Sequence, residues 1–341
     1  MARTLMVLGG GGALGAYQAG ALLALAEHGV LPDALFGCSA GALNAAFLAS
    51  DPGLPRTREL ASWWADTRTH SVLSPSLWSR ARGLAAAATT RADALFDERP
   101  LRRLIGEQVR AHDISELALP LSVTTTCLDC GVARHHDRGP VEDVLVASCS
   151  LPGLFSPVRL PDGHQHVDGG VVCGVPLQAA LDAAGPDDSV VVLDCGLAPV
   201  TGLAGGCAGL AGVPGSELED ACGLTPQERR YVAPTESGRG VLDVVLRAFT
   251  VARAVANTAS TAAGLADPRV HVVPHVADAF VAGVLRDLPS GPRDLSRTQE
   301  LVDAGHAATG LWLPARGLPS KQAAGPAGHG HADRLALPTG D

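Results

Sequence analysis

The chain has 341 residues, 46% of them hydrophobic, and a formal net charge of −9. That length holds one large domain or two smaller ones, and the negative balance excludes the basic footprint that a nucleic-acid partner requires. Aliphatic residues and alanine dominate while aromatics make up only 4%, a composition suited to helices packed on a buried parallel sheet.

Residues 4–8 read as a buried strand near the sheet centre, and they run straight into Gly9-Gly10-Gly11-Gly12-Ala13-Leu14-Gly15. A helix is predicted over 16–28, with Gly29 as its C-cap. A second short apolar run at 34–36 leads into Gly37-Cys38-Ser39-Ala40-Gly41, and small apolar residues at 42–48 lead out. This is strand, sharp turn, helix, with Ser39 at the apex. Gly37 and Gly41 are what such a turn demands, because a Cβ at either would crowd a serine held in a strained conformation. The helix that follows points its N-terminal amides and positive dipole end at the serine oxygen.

Helices are predicted over 58–67, 84–96 and 100–110, with a loop at 71–79. Trp63, Trp64 and Trp78 read as core or groove lining rather than a cofactor box. Residues 119–127 and 132–136 read as two strands around a turn at Asp129-Cys130-Gly131. Cys127 and Cys130 form a C-x-x-C, but no second pair stands at zinc-site spacing, and His135 and His136 are too near. The pair is therefore read as structural.

A helix over 140–149 and a proline-punctuated turn over 150–157 precede His166-Val167-Asp168-Gly169-Gly170. There the two glycines clear room for a carboxylate to approach a neighbouring site, although an ordinary Asp-Gly turn has the same sequence. A strand is predicted over 189–195. Residues 197–240 are glycine-rich with few apolar anchors and read as a mobile excursion that covers the site. A helix over 241–265, a strand over 269–274 and a helix over 296–313, N-capped by Ser296 or Thr298, complete the pattern. Residues 316–341 read as a disordered tail, in which His329 and His331 reflect composition rather than a metal site. The domain expected to act thus spans 1–315.

The glycine loop admits two uses. Gly10, Gly12 and Gly15 match G-x-G-x-x-G, but a dinucleotide fold wants an acid at the end of the second strand. Asp33 stands before that strand, and Gly37-Cys38-Ser39 occupies its end. A Walker loop is excluded because no Gly-Lys-Ser/Thr follows. The other use is an oxyanion hole, in which consecutive glycine N–H groups converge on a developing negative oxygen. No stretch of ~20 apolar residues is present, and residues 5–8 are too short for a signal-peptide core. The expected location is cytoplasmic, with the eight cysteines reduced.

Three blocks, GGGGALGAYQAG at 9–20, GCSAGA at 37–42 and HVDGG at 166–170, make the chain resemble the patatin-like phospholipases. The segment ASCSLPGLFSPV at 147–158 looks like the one preceding that family's aspartate, and the match covers roughly 4–313. The resemblance implies a three-layer α/β/α sandwich with a mainly parallel central sheet. It also implies a catalytic dyad of Ser39 and Asp168, an oxyanion hole at Gly10, Gly11 and Gly12, and the motif glycines Gly15, Gly37, Gly41, Gly169 and Gly170. Many relatives carry Arg or Lys where this chain has Leu14, so a preference for an anionic head group does not carry over.

The expected activity is a carboxylic ester hydrolase acting on lipid or other acyl esters, with peripheral membrane contact and no cofactor or metal. Acyl transfer from a carrier- or CoA-bound thioester uses the same acyl-enzyme and stays open. A non-catalytic binding protein is disfavoured by the intact Ser39 and Asp168. His164 and His166 stand nearest Asp168, yet alternation puts His166 and Asp168 on one strand face, and a dyad needs no histidine.

Overall fold

In the computed structural model, residues 2–66, 96–195, 264–276, 279, 295–315 and 317–320 are described. The expectations for 71–79, 84–94, 197–240, most of 241–265 and most of 316–341 lie outside them, as does Trp78. Five strands lie parallel in the order β3-β2-β1-β7-β8: β1 (Thr4–Leu8), β2 (Ala34–Cys38), β3 (Leu121–Cys127), β7 (Ser189–Leu193) and β8 (Val270–Val272). The mixed side adds β4 (Val132–His136), β5 (Val158–Arg159) and β6 (Gln165–Asp168), all in one 8-stranded sheet. β1 is central and wholly buried, as its unbroken apolar run predicts.

Side-chain alternation assigns the two faces. In β1, Leu5 and Val7 join one core cluster while Met6 and Leu8 join the other, and β7 divides in the same way. Most of the described helices cover the Met6 face: α1 (Gly15–Glu27), α2 (Ala40–Ser50), α3 (Leu54–Ala65), α4 (Arg99–Gln108), α5 (Val141–Cys149) and α7 (Thr298–Trp312). On the opposite face α6 (Leu177–Ala183) packs Leu177, Ala180 and Leu181 against Leu5 and Val7. The three-layer sandwich expected from the sequence is therefore the architecture. Each fully buried Leu or Val in these strands contributes about 1.5–3 kcal/mol by leaving water.

Helix ends follow local chemistry in one case and not in another. α1 stops at Gly29 (φ 78°), whose N–H donates to Ala26 while the Val30 N–H donates to Leu25. This is the double bond of a left-handed glycine cap. At α7 the N-cap is Arg297, not Ser296 or Thr298; its side chain caps no backbone N–H and instead pairs with the Glu300 carboxylate in the first turn. Thr298 is the buried first residue, and its hydroxyl donates back to the Leu295 carbonyl at 3.5 Å. α1 and α7 cross closely: a Cβ at Gly20 would overlap the Val302 carbonyl, and one at Gly305 would overlap that of Tyr17. Close packing there anchors the helix that follows the glycine loop.

The register of β3 matters most. β4 lies along one edge of β3 at 123–127. A strand has two edges, so β2, paired at 121–124, and β6, paired at 125–127, share the other one. β2 is parallel to β3 and β6 antiparallel, so the two run head to head. They meet where Cys38 pairs with Thr124 and Asp168 pairs with Thr125.

Candidate active site

Ser39 leaves β2 at φ 53° and ψ −126°, the one positive φ outside glycine among the described residues. Such a conformation is held only where neighbours over-determine it. Gly37 and Gly41 supply that constraint: a Cβ at Gly37 would stand 2.6 Å from Ala42 Cα, and one at Gly41 would overlap the Leu8 carbonyl. The crowding therefore falls on α2 and on the end of β1, not on Ser39 itself as the sequence suggested.

The Ser39 Oγ donates to Asp168 Oδ2 at 2.7 Å across 129 residues of sequence. The other carboxylate oxygen accepts from the Gly170 N–H at 2.7 Å. The Asp168 N–H donates to the Ser150 carbonyl at 2.9 Å, so main chain fixes the residue on both sides. Asp168 is fully buried and Ser39 is 7% exposed. The nearby thiols are not poised to ionise. Burial, helped by the Asp168 charge, pushes the Cys149 thiol well up, and burial pushes that of Cys173 up to about 11.

The glycine loop lies beside the serine. A Cβ at Gly10 would stand 3.0 Å from that of Ser39. The three expected donors are not equivalent, because the Gly10 N–H donates to the Gly174 carbonyl at 3.0 Å. Gly12 takes φ 60° and opens a short 3-10 turn, Gly12–Leu14, ahead of α1. Among the described residues the Gly11 and Gly12 N–H groups donate to no protein acceptor. A Cβ at Gly11 would overlap the Cys195 carbonyl, so the loop fits only as glycine against the chain leaving β7. Asp33 sits at the other end of the strands, accepting from the Thr4 N–H at 2.8 Å, where it cannot meet a ribose held at this loop.

His166 shares the Asp168 face of β6, as alternation predicted, but its ring is engaged elsewhere. Its Nδ1 lies 2.9 Å from the Thr125 hydroxyl and its Nε2 lies 2.9 Å from Asp162. His164 faces the two cysteines of the C-x-x-C instead, 3.4 Å from Cys127 Sγ and 3.3 Å from Cys130 Sγ. That meeting is invisible in sequence spacing, because His164 arrives from the turn before β6.

Two further sets of residues escaped the sequence reading. Ser148, on α5, accepts the Ser39 N–H at 2.9 Å and donates to the Thr124 carbonyl at 2.7 Å. Its signal was the small-residue block at 147–158, read there only as a likeness. The second set is a buried polar chain behind the glycine loop. Trp64 Nε1 donates to Asn44 Oδ1 at 2.8 Å, and Asn44 Nδ2 donates to Gln18 Oε1 at 2.9 Å and to the Gly15 carbonyl at 3.1 Å. Gln18 Nε2 donates to the Leu193 carbonyl at 2.9 Å. Trp64 is thus a core residue with a satisfied N–H, as expected for a buried indole.

The chain is similar to several known proteins. The chain is 32% identical over 199 residues to mouse patatin-like phospholipase domain-containing protein 6, a match covering 58% of this chain and 14% of that protein. It is 31% identical over 172 residues to the neuropathy target esterase sws of Drosophila sechellia, covering 50% of this chain and 11% of that one. The chain therefore spans a small part of the length of these curated relatives. Among solved structures, VipD from Legionella pneumophila superposes with a TM-score of 0.41 at 13% identity, over 90% of this chain and 66% of that one. The model of the family described as patatin-like phospholipase matches residues 6–181, more than half of the 341; the chain belongs to the patatin-like phospholipase family.

Proposed function

We propose that the chain hydrolyses carboxylic esters of lipids through an acyl-enzyme on Ser39, with Asp168 as its base. The observation that carries this reading is the 2.7 Å hydrogen bond from Ser39 Oγ to Asp168 Oδ2, made by a serine in a strained turn at the head of a helix. Family membership supports the substrate class.

In this mechanism the Ser39 Oγ attacks the ester carbonyl carbon and its proton passes to Asp168 Oδ2. The carbonyl oxygen becomes an oxyanion, held by the Gly11 and Gly12 N–H groups and by the free amides at the head of α2. Collapse breaks the bond to the leaving oxygen, which takes the proton back from Asp168. A water then attacks the acyl-Ser39 carbonyl, gives its proton to Asp168, and releases the free acid as Ser39 is reprotonated. The Gly170 N–H, on the carboxylate oxygen that faces away from Ser39, keeps the base oriented throughout.

The test is fluorophosphonate labelling together with hydrolysis of p-nitrophenyl esters and phospholipid vesicles. Wild-type protein should label at Ser39 and release fatty acid; Ser39→Ala should do neither. Labelling mapped to another residue, or ester turnover kept in Ser39→Ala, would overturn the reading.

A further inference from the structure

Away from the serine, three side chains with metal-binding atoms converge. Cys127 ends β3, Cys130 lies in the β3–β4 turn, and His164 lies in the turn before β6. Their ligand atoms all lie within 4.8 Å of one another. We propose that Cys127 Sγ, Cys130 Sγ and His164 Nδ1 bind a zinc-class ion, with solvent in the fourth position.

Distance supports a shared centre. Two donors on one tetrahedral zinc, at ~2.3 Å for sulfur and ~2.1 Å for nitrogen, stand ~3.6 Å apart. His164 Nδ1 is 3.4 Å from one sulfur and 3.3 Å from the other. A ring nitrogen has one lone pair or one N–H, so it cannot form straight hydrogen bonds to both thiols at once. A metal placed between the three atoms uses that lone pair and both sulfurs together. Two thiolates and an imidazole select zinc over magnesium or calcium, which take oxygen ligands.

The backbone pre-forms the site. The Cys130 N–H donates to Cys127 Sγ at 3.3 Å, which fixes that sulfur within the turn. Gly131 turns the chain at φ 72°, its N–H donating to the Cys127 carbonyl at 2.9 Å. Asp129 crosses from this turn to accept the Gln165 N–H at 2.7 Å, and the Leu128 N–H donates to the Gln165 carbonyl at 2.8 Å. Asp162 accepts the His164 N–H at 3.0 Å, fixing the second turn. The ion would clip β6 to β3 four residues before Asp168. Cys130 is exposed, which gives an ion a route in from solvent.

The experiment is zinc titration of the reduced, chelator-stripped full chain against a chromophoric chelator, with Tm read alongside. Wild type should take up one zinc per chain and gain a few degrees in Tm from preferential binding to the folded state. Cys130→Ser should lose more than ~100-fold in affinity, beyond the ~10–100-fold that outer-shell partners carry, and should lose the Tm gain. His164→Ala should do the same, while Cys173→Ser should bind like wild type. Cobalt in place of zinc should show a thiolate charge-transfer band and tetrahedral d–d bands, absent in Cys130→Ser. Sub-stoichiometric uptake by the reduced wild type, an octahedral cobalt spectrum, or unchanged affinity in Cys130→Ser would each overturn the proposal. Cys130 is exposed, so that variant folds even if Cys127→Ser does not.

Discussion

Ser148 stands between the strained turn and the sheet: its hydroxyl accepts the Ser39 N–H at 2.9 Å and donates to the Thr124 carbonyl at 2.7 Å. The residue is fully buried, so neither partner has water as a substitute. Ser148→Ala should cost about 1–3 kcal/mol of stability, the usual penalty for a buried polar group left alone. If Ser148 positions Ser39, kcat should fall at least ~10-fold with KM unchanged, and fluorophosphonate labelling should slow in step. A variant that loses Tm but keeps kcat would mark Ser148 as structural only.

Asp168→Asn tests the base while keeping its shape. An amide can still accept from the Gly170 N–H but cannot take the Ser39 proton, so kcat should fall ~10²–10⁴-fold. The double variant Ser39→Ala/Asp168→Asn should be no slower than the worse single, because the two act as a unit. Steady-state kinetics on a soluble ester, with circular dichroism to confirm folding, decides it. Additive losses would separate the two roles.

The glycine loop needs two variants, because the obvious one is confounded. Gly11→Ala drives a Cβ into the Cys195 carbonyl and should fail to give folded protein. Gly12→Ala asks an alanine to hold φ 60°, a strain of ~1–2 kcal/mol that the fold should survive. Displacing that amide should lower kcat by up to ~10²–10³-fold, the range for one lost oxyanion donor. A folded Gly12→Ala with wild-type kcat would remove Gly12 from the oxyanion site.

Asn44 joins three helices behind the loop, bonding to Gln18, Trp64 and the Gly15 carbonyl. Asn44→Ala strands several buried polar atoms at once and should cost ~3 kcal/mol in urea unfolding. A loss below ~1 kcal/mol would show that the network repacks.

Stability should also depend on pH through His136. Burial, with the His166 charge next and His135 and Arg134 adding, lowers its pKa from 6.5 to about 4, against an opposing pull from Asp162. The ring also sits 2.8 Å from the Thr125 hydroxyl. A depressed histidine pKa means the unfolded chain takes the proton first. The stability it contributes is present above pH 6.5 and is lost as pH falls toward about 4. Partial exposure limits the effect to on the order of 2 kcal/mol. His136→Gln should flatten the slope of urea midpoint against pH in that window; an unchanged slope would assign the acid lability to other groups.

Much of this protein is determined by short stretches of its sequence. Gly37, crowded by Ala42 five residues on, and Gly12, at φ 60°, stand where the chain turns too sharply for a Cβ, and the apolar runs at 5–8 and 190–193 encode buried strands. Such requirements are local and steric, so they are legible without a fold. Only tertiary structure decided who meets whom. Cys38 and Asp168 adjoin because β3 pairs them at Thr124 and Thr125, a register that no local pattern states. The same holds for Ser148 under Ser39, for the Gly10 N–H spent on Gly174, and for His164 facing Cys127 and Cys130. Each of these is a contact between distant segments, and its geometry exists only once the strands have chosen their neighbours.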